Sequence, residues 1–171
     1  MPSDLEKEIR SALKERIFVL DGAMGTTIRG YELEEKDARG GRFQKNEKDL
    51  LNNGDILSIT KPDVIGDIHK RFLEAGSDII ETNTFSATYL AQSEFFVEDP
   101  REKGKGRKDP EFFERDVVHN PFLKDLAWEL NVKSAQLCRE WCDRIGNETG
   151  RKRYVAGAIG PMTVSLTTSP D

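Results

Sequence analysis

No long apolar run occurs in this sequence. The roughly 20 consecutive apolar residues of a membrane span are absent, and the N-terminus, MPSDLEKEIR, has acidic residues where a secretory leader carries its apolar core. A membrane location is excluded on this reading, and the cytoplasm is expected. Cysteine is scarce: Cys138 and Cys142 lie four apart on one predicted helix, so a disulfide framework is not indicated and a reducing compartment fits. A basic excess is missing too. The net charge is -5, whereas phosphate binding needs a basic surface, so nucleic acid is set aside and a small-molecule partner is expected. No internal repeat with a period of about 20 to 50 residues is visible.

What is present is a soluble globular pattern, 36% hydrophobic and 33% charged, with enough length for one sizeable core. Leu5, Ile9, Ala12 and Leu13 recur at helical spacing among charges, which predicts a leading amphipathic helix over 1–15. Ile17, Phe18, Val19 and Leu20 then form a short continuous apolar run, the pattern of a strand buried on both faces of a parallel sheet. Residues 31–54 are polar and rich in turn formers, and are expected to be an extended loop. Pro62 opens a predicted helix whose apolar face (Val64, Ile65, Ile68, Phe72, Leu73) runs to Gly76. A second strand is expected over 78–85, apolar at first and polar at its end.

Residues 97–119 are about half charged, with Lys-Gly-Lys-Gly-Arg-Lys at 103–108, and are expected to be a surface insertion that cannot order itself. Asn120-Pro121 then caps a long helix carrying Leu123, Leu126, Ala127, Leu130, Leu137, Cys138, Trp141 and Ile145 on its apolar stripe up to Gly146, with Glu129 and Lys133 as an i,i+4 pair on the other side. A third short strand follows at 154–161. Strand, helix, strand, helix, strand without a hairpin signal predicts right-handed βαβ crossovers: an α/β fold with a parallel sheet.

Each predicted strand breaks into polar or small residues at its C-terminal end: Asp21 to Thr27, Glu81-Thr82-Asn83-Thr84, and Gly157 to Pro161. In parallel α/β architectures ligands bind at that edge. The DGAMGT turn has neither the spacing of a dinucleotide fingerprint nor the Gly-Lys-Thr ending of a phosphate loop. Its glycines can turn backbone N–H groups toward an anion, with the Asp21 carboxylate beside them. The carboxylate and ammonium of an amino acid would match that pair.

In this order, VLDGAMGT, LLNNGDILSITKPDVI, HKRFLEAGSDIIETNTFSAT and YVAGAIGP closely resemble the N-terminal homocysteine-binding domain of cobalamin-dependent methionine synthases, over roughly 16–94 and 122–171. The related betaine- and S-methylmethionine-dependent homocysteine methyltransferases share the Asp-Gly turn and the barrel; LLNNGDILSITKPDVI favours the cobalamin-dependent enzyme. The resemblance implies a (β/α)8 TIM barrel, of which this chain would supply the first three βα units. It also implies methionine biosynthesis by methyl transfer from methylcobalamin, itself recharged from 5-methyltetrahydrofolate, to a homocysteine thiolate stabilised by zinc. On this chain, Asp21 would hold the substrate ammonium, and backbone near Gly22, Ala23 and Gly25 its carboxylate. Glu81, Thr82 and Asn83 would line the pocket, and Gly157, Ala158 and Gly160 would let the chain pass close to the substrate. Partners would be homocysteine and the folate- and cobalamin-binding domains of a longer parent.

The family's zinc ligands, a cysteine and a later Cys-Cys pair, have no counterpart here, so no zinc or cobalamin is expected on these residues. Cys138 and Cys142 read better as core thiols, and His69 and His119 as structural residues, because zinc normally needs three or four protein ligands. A closed barrel takes eight strands and about 250 residues. The chain is therefore expected to be a piece, inactive alone, with open sheet edges that favour poor solubility. A non-catalytic binding fragment is the alternative from another functional class.

Overall fold

The computed structural model describes residues 3–98 and 110–161. Helix α1 (Asp4–Glu15) is capped by Ser3, whose hydroxyl accepts the Glu6 N–H, and it buries no residue. Helix α2 (Met24–Arg29) follows the DGAMGT turn, and α3 (Glu35–Arg39) opens with a capping box between Glu34 and Asp37. A 3-10 turn (Gly54–Ile56) leads into α4 (Leu57–Thr60) and α5 (Pro62–Glu74). Strand β1 (Ile79–Glu81), α6 (Tyr89–Phe96), α7 (Pro110–Phe112) with a π-helical continuation (Phe113–Val118), α8 (Pro121–Thr149) and β2 (Tyr154–Ala156) complete the order.

The sheet is parallel, as the alternation predicts, but small. β1 pairs with β2 in the register Ile79 to Tyr154, Ile80 to Val155 and Glu81 to Ala156. The first predicted strand is reduced to a single parallel bridge between Leu20 and Ile79, on the opposite side of β1 from β2. It is also not buried on both faces: Ile17 is 85% exposed, Val19 53% and Leu20 48%. Its inner edge bonds to β1 through the Asp78 and Ile79 N–H groups on the Val19 carbonyl, while no described residue pairs its outer edge. An unpaired edge has no ladder to hold it extended, and the strand assignment shrinks accordingly.

Between the strands, α5 and α8 pack against each other and on the sheet. Ile65, Ile68, Leu126 and Leu130 lie at the centre of the larger apolar cluster, and Leu73, Ile80, Cys138, Cys142 and Ile145 form the second, against the sheet. Two glycines serve this packing by what they lack. A Cβ on Gly66 of α5 would come within 2.5 Å of the Trp141 indole nitrogen. A Cβ on Gly146 would meet the Arg151 carbonyl at 3.2 Å, so the chain can fold back over α8 there. The helix does not stop at Gly146; it continues to Gly150, whose left-handed φ of 66° ends it and whose N–H returns to the Gly146 carbonyl. The stop at Gly76 holds, with φ of 113° just beyond α5.

Three expectations change. Residues 31–54 are not a loop lying over the surface, since Ala38, Phe43 and Leu50 are buried in the main cluster. Side chains supply the bonds that regular structure would: Glu35 accepts the Leu50 and Leu51 N–H groups, and Arg39 donates to the Asn46 and Lys48 carbonyls. Of the predicted insertion 97–119, residues 99–109 lie outside the described residues, while 110–118 are helical and bury Val117 against α6. Glu129 pairs with Arg42 at 2.7 Å rather than with Lys133, joining α8 to the 31–54 segment.

Candidate functional site

The exits of β1 and β2 and the segment that follows the Leu20 bridge lie at one edge of the sheet. The Asp21 N–H donates to the Ile79 carbonyl, and the Asp21 carboxylate accepts the Glu81 N–H on both oxygens at 3.1 Å. Register then carries Glu81 to Ala156, and the Thr82 N–H donates to the Ala156 carbonyl at 2.9 Å. The half-buried Asp21 side chain has its pKa raised to about 6, first by desolvation and further by the Glu81 charge, against the stabilising N–H bond. No lysine or arginine among the described residues forms an ion pair with it. Glu81 is exposed beside it, as are Gly22, Ala23 and Gly25 at the start of α2.

Thr82 and Asn83 are placed differently from lining groups. Both are buried, and their polar atoms are engaged in the scaffold. The Thr82 hydroxyl accepts the Ala158 N–H at 3.0 Å and lies 2.6 Å from the Thr84 hydroxyl, which donates to the Ala158 carbonyl at 2.9 Å. Asn83 donates to the Gly54 carbonyl at 2.8 Å and to Ser58, which is joined in turn to Ser134 of α8. These residues lock the β2 exit to the β1 exit. Gly157 is exposed with open space around its Cα, whereas at Gly160 a side chain would force the chain to shift, because a Cβ there would run into the Phe85 carbonyl and ring. The Gly160 N–H donates to that same carbonyl at 3.1 Å. Phe85 and Ile159, 60% and 95% exposed, stand at this rim.

One carboxylate beneath the edge escaped the sequence reading. Asp55, 5% exposed, accepts the Ser86 N–H at 2.7 Å. Burial raises its pKa to about 6. The only sequence signal was its place in NNGDI, where a polar residue interrupts the approach to an apolar run.

The described residues do not fit a zinc ion. Cys138 and Cys142 are fully buried in the α8 core, and no group of three or more His, Cys, Asp or Glu side chains among the described residues could hold a metal. The Cys138 sulfur is 3.2 Å from His69 Nε2, and Cys142 bonds the Tyr154 carbonyl. Burial pushes the Cys138 thiol well up, the Cys142 thiol to about 11, and the His69 imidazole down to about 4. The thiols stay neutral, the reverse of what zinc ligation or nucleophilic attack requires of a cysteine. The reading of these groups as core residues holds. His119 instead lies exposed, 2.7 Å from Glu114.

Comparison with known proteins bears on the whole chain. The family model for homocysteine S-methyltransferase matches residues 18–171. Among solved structures, the homocysteine methyltransferase MmuM from Escherichia coli is similar in its metallated and oxidized forms, each with a TM-score of 0.55, 19% identity and 90% of this chain covered. At that identity the likeness shows a shared fold alone. The chain spans about two fifths of those structures, 41% and 40% of their lengths.

Proposed function

Because the chain belongs to the homocysteine S-methyltransferase family, we propose that it carries part of an enzyme that methylates homocysteine, and that its C-terminal sheet edge holds the amino-acid end of that substrate. The observation that carries this reading is the uncompensated acidity of the edge. Asp21 is half-buried, held only by backbone N–H groups, and beside exposed Glu81. Desolvated carboxylates without a cation are costly, and a bound ammonium removes that cost.

In this arrangement Asp21 and Glu81 take the substrate ammonium, and the exposed backbone at Gly22, Ala23 and Gly25 takes its carboxylate. Thr82 and Asn83 act from beneath by fixing the strand exits. Gly157, Ala158 and Gly160 bring the β2 exit close without side-chain bulk. The sulfur end has no partner among the described residues, and no step at sulfur is assigned to them. Methylcobalamin is proposed as the methyl donor of the parent enzyme, on the strength of LLNNGDILSITKPDVI. A reading frame that continues beyond Asp171 into folate- and cobalamin-binding domains would support that donor; a frame without them would point to betaine or S-methylmethionine.

Calorimetric titration of homocysteine into the full chain and into Asp21→Asn tests the site. Binding needs the ionised Asp21, so affinity should rise with pH through about 6 in the unsubstituted chain. The variant should bind at least about tenfold more weakly and lose that step, as expected for a missing charge-assisted contact of about 1.5 to 3 kcal/mol. Equal affinity in the two chains would remove Asp21 from the site.

A further inference from the structure

The buried Asp55 carboxylate has no role in the site as described so far, yet its geometry is specific. It stands in the 3-10 turn Gly54–Ile56, and its Oδ2 accepts the Ser86 N–H at 2.7 Å. The same turn reaches the same loop twice more. Gly54 accepts from Asn83 at 2.8 Å, and Asn53 exchanges hydrogen bonds with Gln92, which donates to the Ser86 carbonyl at 3.1 Å. Beyond the loop, the Phe85 carbonyl accepts the Gly160 N–H.

A carboxylate is an expensive way to hold an N–H group in a dry turn, since no cation among the described residues pairs with Asp55. It is also the strongest acceptor available. We propose that Asp55 is a positioning residue for the substrate edge: by holding the Ser86 N–H it fixes the peptide whose carbonyl, that of Phe85, accepts the Gly160 N–H, so that the exits of β1 and β2 hold one geometry. This rests on the homocysteine reading of that edge, and it adds a residue that touches no substrate. The chain of contacts runs from Asp55 through the Phe85–Ser86 peptide to Gly160, and from Asn83 and Thr82 to Ala158.

The test compares Asp55→Ala, Asp55→Asn and Asp21→Asn in the full chain, reading homocysteine affinity by calorimetry and amide hydrogen exchange at Ser86, Gly160 and Leu130. Asp55→Ala should speed exchange at Ser86 and Gly160 by at least about tenfold, leave Leu130 protected, and weaken homocysteine by about tenfold or more. Asp55→Asn keeps an acceptor of the same size and should restore affinity to within about threefold. Rescue by Asn separates positioning from charge; an Asn variant as weak as the Ala variant overturns the proposal. So does an Ala variant whose loop is freed while affinity is unchanged. If Asp55→Ala fails to fold, Asp55→Asn decides, with retained Ser86 protection and near-normal affinity in support and loss of either against. If Asp21→Asn leaves affinity unchanged, the homocysteine reading fails by itself. The positioning role is then judged on Gly160 exchange in Asp55→Ala, accelerated in support and unchanged against.

Discussion

The two ends of the short sheet treat their carboxylates in opposite ways. At the N-terminal end Asp78 is fully buried and surrounded by cations: Arg16 donates to both of its oxygens at 2.6 and 2.9 Å, Arg151 bonds it from the other side, and the Val19 N–H completes the set. The Arg16 guanidinium holds its pKa well below the usual carboxylate range. Around it Arg153 donates to the Ser77 carbonyl, Phe18 stacks on Tyr154, and Glu8 ties α1 down through Tyr154 and Lys152. At the C-terminal end Asp21 and Asp55 receive backbone N–H groups and no ion pair among the described residues, and both pKa values are raised to about 6. One end pairs its buried carboxylate with cations, and the other leaves its carboxylates without them among the described residues. That division is expected of parallel α/β architectures, where the C-terminal edge carries chemistry.

The comparison is broken most directly at its stable end. Asp78→Ala strands two arginines and the Val19 N–H; since both arginine side chains are 40% exposed, the loss should be about 3 kcal/mol, the low end for a broken buried pair. A urea midpoint moved by an amount equivalent to less than about 0.5 kcal/mol would show that the arginines resolvate without cost.

Acid titration separates the ends by sign. Asp78, with its lowered pKa, contributes stability that is present above the unfolded carboxylate range and lost as pH falls. Asp55, raised from 3.8 to about 6, contributes stability that is full below about 4 and lost as pH rises through about 6. Asp55→Asn should therefore remove the Asp55 share of the decline between about pH 4 and 7, about 2 to 3 kcal/mol, and leave the Asp21 share, seen as a thermal midpoint that falls less over that range. An unchanged slope would mean the ionised carboxylate is as well solvated as in the unfolded chain.

Gly160→Ala probes the site end by sterics. The new Cβ meets backbone at Phe85, which cannot swing away, so about 2 kcal/mol of destabilisation is expected, with faster hydrogen exchange at Gly160 and Thr82 and none at Asp78. Exchange that quickens at both ends would show the two to be one cooperative unit. The smallest effect is expected between them, at Gly66→Ala. Helix propensity favours alanine by about 1 kcal/mol, while the Trp141 indole must yield to a Cβ at 2.5 Å. A net loss of about 1 kcal/mol in thermal unfolding follows from the overpacking. A stabilised variant would show the indole free to move.

Much of this was legible beforehand. Helices α5 and α8 follow from their apolar stripes, Pro62 and the Asn120 cap, and Gly76 marks the end of α5 by its positive φ, whereas α8 runs past Gly146 to Gly150. Local periodicity and capping are written within a few residues, so they survive without knowledge of the fold. Asp21 and Glu81 meet because the Leu20 bridge sets the segment before Asp21 parallel to β1, the sense that the βαβ order implies. The first strand was over-read, since an apolar run specifies burial only where something covers it. The 31–54 segment was under-read, because Glu35 and Arg39 order it through bonds to Leu50 and Asn46 that no periodicity shows.

Helices α5 and α8, the parallel sense of the sheet and the family were set by the sequence alone, since they rest on short-range pattern and on the handedness of crossovers. Only the tertiary structure decided which carboxylates are neutralised and which are left acidic. Asp78 and Arg16 are 62 residues apart, and Asp55 and Ser86 31. A carboxylate's partner, and hence its pKa, is chosen by packing between elements, about which the identity of an aspartate says nothing.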